Sequence, residues 1–202
     1  DLAYFTMGGN DDYIPDVFYG RTVVDTAEDV INQTKKIINY EKGNFSDPSG
    51  LARHIGMASN EGSNPSDEEY VKKMLAPFEE NFEMNGYYLF QRNTNSNPDY
   101  LNQLLSSGVA WLNYIGHGSG SSWPSMSEMY TVEHIKNIEK AEIKPIIVDV
   151  ACQNGRFSYG ERIGERFMNE TNNGDPVGAL AYYGGSVDIS WDPPAIMAVG
   201  IN

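Results

Sequence analysis

From residue 51 onward the chain alternates two kinds of pattern. The stretches "ARHIGMAS", "YYLFQ", "VAWLNYIG", "PIIVDVA" and "VGALAYYG" are short and nearly continuously apolar. That is the signature of strands buried on both faces. Between them apolar residues recur every three or four positions, as on one face of a helix. "SDEEYVKKMLAPFEENF" pairs Ser66 with Glu69 as a capping box and turns Val71, Met74, Leu75 and Phe78 inward. "NPDYLNQLLSSG" predicts a short helix with Leu101, Leu104 and Leu105 on one side, and "TVEHIKNIEK" and "GERIGERFMNE" predict two more. Strands alternating with amphipathic helices predict an α/β domain with a mostly parallel sheet covered by helices on both faces.

The first fifty residues are less regular. "LAYFTM" predicts a strand and "GGNDDYIPD" a loop. "DTAEDVINQTKKIINYEKG" predicts a helix capped by Thr26 and Asp29 and stopped by Gly43, with Ala27, Val30, Ile31, Ile37 and Ile38 near one face. "NFSDPSG" punctuates the chain as a linker before the regular alternation begins.

In an open α/β sheet the ligand crevice lies beyond the carboxyl ends of the strands. Four predicted strands run out into polar loops, "ASNEG", "YIGHGSGSSW", "VACQNG" and "YYGGSVDISW". If those strands are parallel neighbours, Glu61, His117, Cys152 and Trp191 share one rim.

Composition narrows the chemistry. The 202 residues carry 28 acidic against 14 basic side chains, a net charge of −14. No basic stripe exists to displace counterions from nucleic acid, whereas cationic partners are attracted. The single cysteine rules out an internal disulfide and a cysteine-based zinc site. No stretch approaches the roughly 18 apolar residues of a membrane span. No signal peptide is evident. The opening "DLAYFTMGG" reads as an interior strand, as expected of a processed or excised piece of a longer protein.

Cys152 ends an apolar run and precedes "QNG", which allows a sharp turn. A buried filler is one reading of a lone cysteine; a nucleophile at a strand tip is the other. A free thiol is only a few per cent thiolate at neutral pH, so the second reading needs an activating neighbour. His117, between Gly116 and Gly118 at the end of "WLNYI", is the candidate. His134 falls in a polar helix and His54 inside a strand, where surface and core roles are expected. Rival motifs fail. "GHGSG" lacks the third glycine of G-x-G-x-x-G, Ser119 lacks the first glycine of G-x-S-x-G, and H-E-x-x-H is absent. Asp11, Asp12 and Asp16 miss the EF-hand spacing and read as a solvated loop, with a structural calcium ion as the alternative.

A strand ending in His-Gly followed by one ending in Ala-Cys resembles the caspase-type cysteine peptidases, whose Q-A-C-x-G signature is similar to "VACQNG". The closer resemblance is to the gingipain family, carried by "ASNEG", "LNYIGHGSGSSW", "PIIVDVACQNGRF" and, upstream, "IPDVFYGR". The resemblance implies a caspase-like fold. Residues 1–50 would be the C-terminal part of a preceding subdomain with its connecting helix. Residues 51–202 would be the catalytic subdomain, truncated at its C-terminus.

It also implies a cysteine endopeptidase, secreted or at the cell surface, that needs no cofactor and cuts protein or peptide substrates after arginine or lysine. Cys152 matches the nucleophile, His117 the catalytic histidine and Glu61 the acid that orients it, although a solvated loop carboxylate is the competing reading of Glu61. The amides of Gly118 and Cys152 would form the oxyanion hole. Asp67 falls near the arginine-reading acid, yet it is equally a favourable first-turn carboxylate. Trp191 matches a pocket-lining tryptophan and is otherwise a core aromatic. Asp192 is the alternative pocket acid. A transpeptidase of sortase type using the same pair, and a non-catalytic acidic binding module, are the rival functions.

Overall fold

The computed structural model describes residues 4–9, 11–12, 14–17, 19–158 and 160–202. Its strands in chain order are β1 (Arg53–Ala58), β2 (Asn85–Phe90), β3 (Trp111–Ile115), β4 (Ser122–Trp123), β5 (Tyr130–Thr131), β6 (Ile146–Val150), β7 (Thr171–Asn172), β8 (Asp175–Pro176) and β9 (Ala181–Gly184). Its α-helices are α1 (Ala27–Lys42), α2 (Asp67–Phe82), α3 (Pro98–Ser106), α4 (Val132–Ile135), α5 (Ile163–Asn169) and α6 (Asp192–Ile201). The five apolar runs pair in the order β2-β1-β3-β6-β9, every neighbour parallel. The other four strands form two short antiparallel ribbons that the sequence pattern does not announce.

Each face of the sheet is covered, which is why the strands lack a polar alternation. On one face Ile55, Met57, Leu112 and Ile147 pack with Leu101 and Leu105 of α3, Ile135 of α4 and Phe167 of α5. On the other, Ile115, Val148 and Val150 meet Val71, Met74 and Leu75 of α2 and Ala195 and Ala198 of α6. Each fully buried large side chain contributes roughly 1.5–3 kcal/mol of transfer free energy. Gly56 lets α2 lie close to β1, since a Cβ there would stand 2.6 Å from Val71 Cγ1 and 2.7 Å from Leu75 Cδ1. The Ser66–Glu69 capping box at the start of α2 forms as expected, as does that of Thr26 and Asp29 on α1.

Four elements differ from expectation. Tyr4–Met7, the described part of "LAYFTM", form no strand. Their backbone groups are taken locally: Phe5 O accepts from Asp16 N–H, and Met7 N–H donates to the Asp16 carboxylate. Leu2 and Ala3 lie outside the described residues. The helix at "TVEHIKNIEK" is a single turn, because Asn137 N–H and Ile138 N–H bond three residues back, to His134 O and Ile135 O, and tighten the chain out of α geometry. α6 was unforeseen; its Pro193 and Pro194 sit in the first turn, where no intrahelical N–H is needed.

α1 buries the opposite face from the one its apolar residues mark. Val30, Ile31, Ile37 and Ile38 are exposed, while Asn32, Gln33 and Lys36 are buried. Lys36 Nζ donates to the carbonyls of Phe167, Met168 and Val177 at 3.4, 2.6 and 3.3 Å, and Gln33 Nε2 to Val23 O and Asn169 Oδ1. The Phe167 and Met168 carbonyls lie in the last turn of α5, where the helix itself leaves them open. Burial holds the Lys36 ammonium well below its usual range, at about 7.

Candidate active site

β3 and β6 are adjacent and parallel, with Ile115 beside Val150. Each strand then runs two residues further, to His117 and to Cys152, so both side chains leave the sheet at the same carboxyl edge. The two turns touch: a Cβ on Gly118 would lie 2.4 Å from Cys152 O, which makes glycine obligatory there. Gln153, next to the cysteine, takes a left-handed φ of 60°, a conformation costly for a non-glycine residue. Its amide donates to Val187 O and its side chain to Asp188, which together hold the turn. Among the described residues, neither the Gly118 nor the Cys152 N–H donates to a backbone carbonyl.

The Cys152 thiol is half-buried, not packed into the core. Ile189 N–H donates to Sγ at 3.4 Å. His117 is held at both backbone ends, its N–H on Ser125 Oγ at 3.0 Å and its carbonyl on the Tyr114 hydroxyl at 2.8 Å. Its Nε2 lies 3.0 Å from Glu61 Oε1, with both side chains about half exposed. At that exposure the contact adds little stability and serves to orient the ring.

Asp67, at the first position of α2, is fully buried. Oδ1 accepts from Trp191 Nε1 at 2.7 Å, and Oδ2 accepts from the Ser59 hydroxyl. Burial pushes its carboxyl above the usual range against these two bonds. Ser59 Oγ also accepts from Glu61 N–H at 3.1 Å, so one hydroxyl links the Glu61 loop to Asp67. The Trp191 indole stands edge-on to the His117 ring, centroids 5.1 Å apart. Glu61, His117, Asp67 and Trp191 therefore form one ring of contacts, and the segment carrying Trp191 also touches the thiol. Asp192 stands outside that ring; it is exposed, and its Oδ1 accepts from the Tyr70 hydroxyl at 3.4 Å.

The other histidines and the loop of Asp12 and Asp16 make local contacts. His54 is buried with Nε2 3.2 Å from Glu79 Oε1, and His134 Nδ1 accepts from Thr131 N–H. Asp12 and Asp16 accept backbone N–H groups within their loop. Among the described residues, no group of three His, Cys, Asp or Glu side chains could hold a metal ion. Ser59, which links the Glu61 loop to Asp67, carries no signal in the sequence. Asp149, whose carboxylate accepts from Asn154 of the cysteine turn, carries one, an acid inside an otherwise apolar strand.

A mostly parallel sheet that delivers histidine and cysteine from adjoining strand ends is the caspase-like architecture of cysteine peptidases. The chain belongs to peptidase family C25, whose family model matches residues 1–197. Gingipain R2 of Porphyromonas gingivalis (strain ATCC BAA-308 / W83) is 27% identical over 205 residues, covering 96% of this chain and 26% of that protein. Lys-gingipain of Porphyromonas gingivalis (strain ATCC 33277) is 25% identical over 203 residues, covering all of this chain and 11% of that protein. The crystal structure of the Arg-specific cysteine proteinase gingipain R (RGPB) superposes with a TM-score of 0.87 at 26% identity, covering 96% of this chain and 45% of that one. The chain thus spans about a quarter of gingipain R2 and under half of the solved proteinase.

Proposed function

We propose that this chain carries the catalytic machinery of a cysteine endopeptidase that cuts after arginine or lysine. The observation that supports it most is that an oriented histidine and a half-buried thiol stand on touching turns at one sheet edge. In this reading the Cys152 proton passes to His117 as Sγ bonds to the peptide carbonyl carbon. The carbonyl oxygen gains the charge and accepts from the Gly118 and Cys152 amides. Losing one donor of this kind typically costs about 2.7–4 kcal/mol of transition-state stabilisation. His117 then protonates the leaving amine as the C–N bond breaks, and water hydrolyses the thioester.

Asp67 is the proposed acceptor of the substrate cation, with Trp191 as the wall above it. The net charge of −14 favours approach of cationic substrates over a distance. Residues 51–202 form the catalytic unit in this reading, and residues 1–50 brace it. The proposal includes a secreted or surface location. No helix among the described residues is long and apolar enough to cross a membrane. Digestion of a peptide library by the full natural protein, read by mass spectrometry, tests the reading. New carboxyl termini at arginine or lysine are expected. Products joined to an added amine would instead indicate a transpeptidase, and an untouched library a binding module.

A further inference from the structure

Asp149 is the only charged residue in the apolar run of β6, and it is almost wholly buried. Three donors from three segments converge on its Oδ2: Trp123 Nε1 of β4 at 3.0 Å, Asn154 Nδ2 of the cysteine turn at 2.9 Å, and the Tyr182 hydroxyl of β9. Its Oδ1 has no partner. A carboxylate placed this way is a poor stabiliser, since burial works against its charge and pushes it up to about 6. What it does fix is direction. Facing an anion, the Asn154 amide must turn its NH2 group inward, which leaves its oxygen to accept Gly120 N–H at 2.9 Å.

That bond crosses from the cysteine turn to the histidine loop. Gly120 has a φ of +89°, open to glycine, and so presents its N–H where other residues would not. A Cβ on Gly118 would lie 2.9 Å from Asn154 Nδ2 as well as against Cys152 O, so the same amide backs the Gly118 peptide. Asn154 O also accepts from Gly164 N–H at 3.2 Å, which anchors the turn to the start of α5.

We infer that Asn154, aimed by the buried Asp149 carboxylate, is the positioning residue that clamps the His117 loop to the Cys152 turn and so sets the aim of the Gly118 and Cys152 amides. This rests on the function proposed above. It predicts a defect in steps that build an oxyanion and none in simple alkylation of the thiol.

The test compares wild type, Asn154→Asp and Asn154→Ala in the full natural protein. kcat and KM on an arginyl amide are measured alongside the rate of Cys152 alkylation by iodoacetamide, which forms no oxyanion. Asn154→Asp sets a second carboxyl group against Asp149, and Asn154→Ala removes the bridge to Gly120 N–H. Either is expected to lower kcat about 100-fold, with KM and alkylation within about threefold of wild type. If Asn154→Asp does not fold, Asn154→Ala alone is read in the same way. A kcat within threefold of wild type, or a fall in alkylation matching that in kcat, overturns the inference. A wild-type protein with no Cys152-dependent hydrolysis overturns the functional reading itself, an outcome distinct from the other two.

Discussion

Asp67→Asn isolates the charge in the proposed pocket with little change of shape. The carboxamide oxygen can still accept from Trp191 Nε1, and the Ser59 hydroxyl can rotate to accept from the new NH2 group. What is lost is the anion that would meet a substrate guanidinium. A hydrogen bond to a charged group contributes about 1.5–3 kcal/mol. At about 1.36 kcal/mol per factor of ten, kcat/KM on an arginyl amide should fall about 10- to 150-fold. The control is the same substrate with citrulline, neutral and nearly isosteric, which should change by less than about threefold, because no charge pair is at stake. The ratio of the two kcat/KM values removes any general loss of folding or of thiol reactivity. An equal fall on both substrates, or an unchanged value on arginine, refutes the pocket role and leaves Asp67 as a first-turn carboxylate that holds Trp191.

Three other outcomes follow from the structure. Lys36→Met strips the ammonium from the carbonyls of Phe167, Met168 and Val177; it should cost about 2–3 kcal/mol in chemical denaturation, and an unchanged midpoint would mean that α1 is not latched there. Asp149, raised from 3.8 to about 6, keeps a proton between those values that the unfolded chain has released. Its contribution therefore favours folding at low pH and fades as pH rises through that window, by up to about 3 kcal/mol, with Tyr114 and Tyr182 ionising far above it. The stability of Asp149→Asn relative to wild type should accordingly grow from about pH 4 to about pH 7, and a flat difference contradicts the assignment. Glu61→Gln keeps an acceptor for the half-exposed His117 ring and should lower kcat less than about fivefold, whereas a hundredfold loss would give Glu61 a larger part.

The parallel sheet was legible because burial on both faces leaves each strand nearly free of polar residues, and the capping boxes of α1 and α2 announce their own starts. The site was legible as far as side chains sit at strand ends, which is how Glu61, His117 and Cys152 stood out. Long-range polar contacts were not legible. Nothing in the periodicity of α1 shows that Lys36 will find three carbonyls at and beyond the end of α5, so its apolar face pointed the wrong way. Ser59 and Asn154 are common loop residues until the fold brings Asp67 and Gly120 to them. Asp192 shows the same limit: adjacency to Trp191 in sequence does not reveal that its carboxylate accepts from Tyr70 of α2.

Treatment of the full natural protein with an arginyl chloromethyl ketone, followed by peptide mapping, is the most direct measurement of whether a working Cys–His pair exists. The account predicts one adduct, on Cys152, and none after His117→Ala. An unlabelled Cys152, or labelling that proceeds as fast without the His117 imidazole, would contradict it.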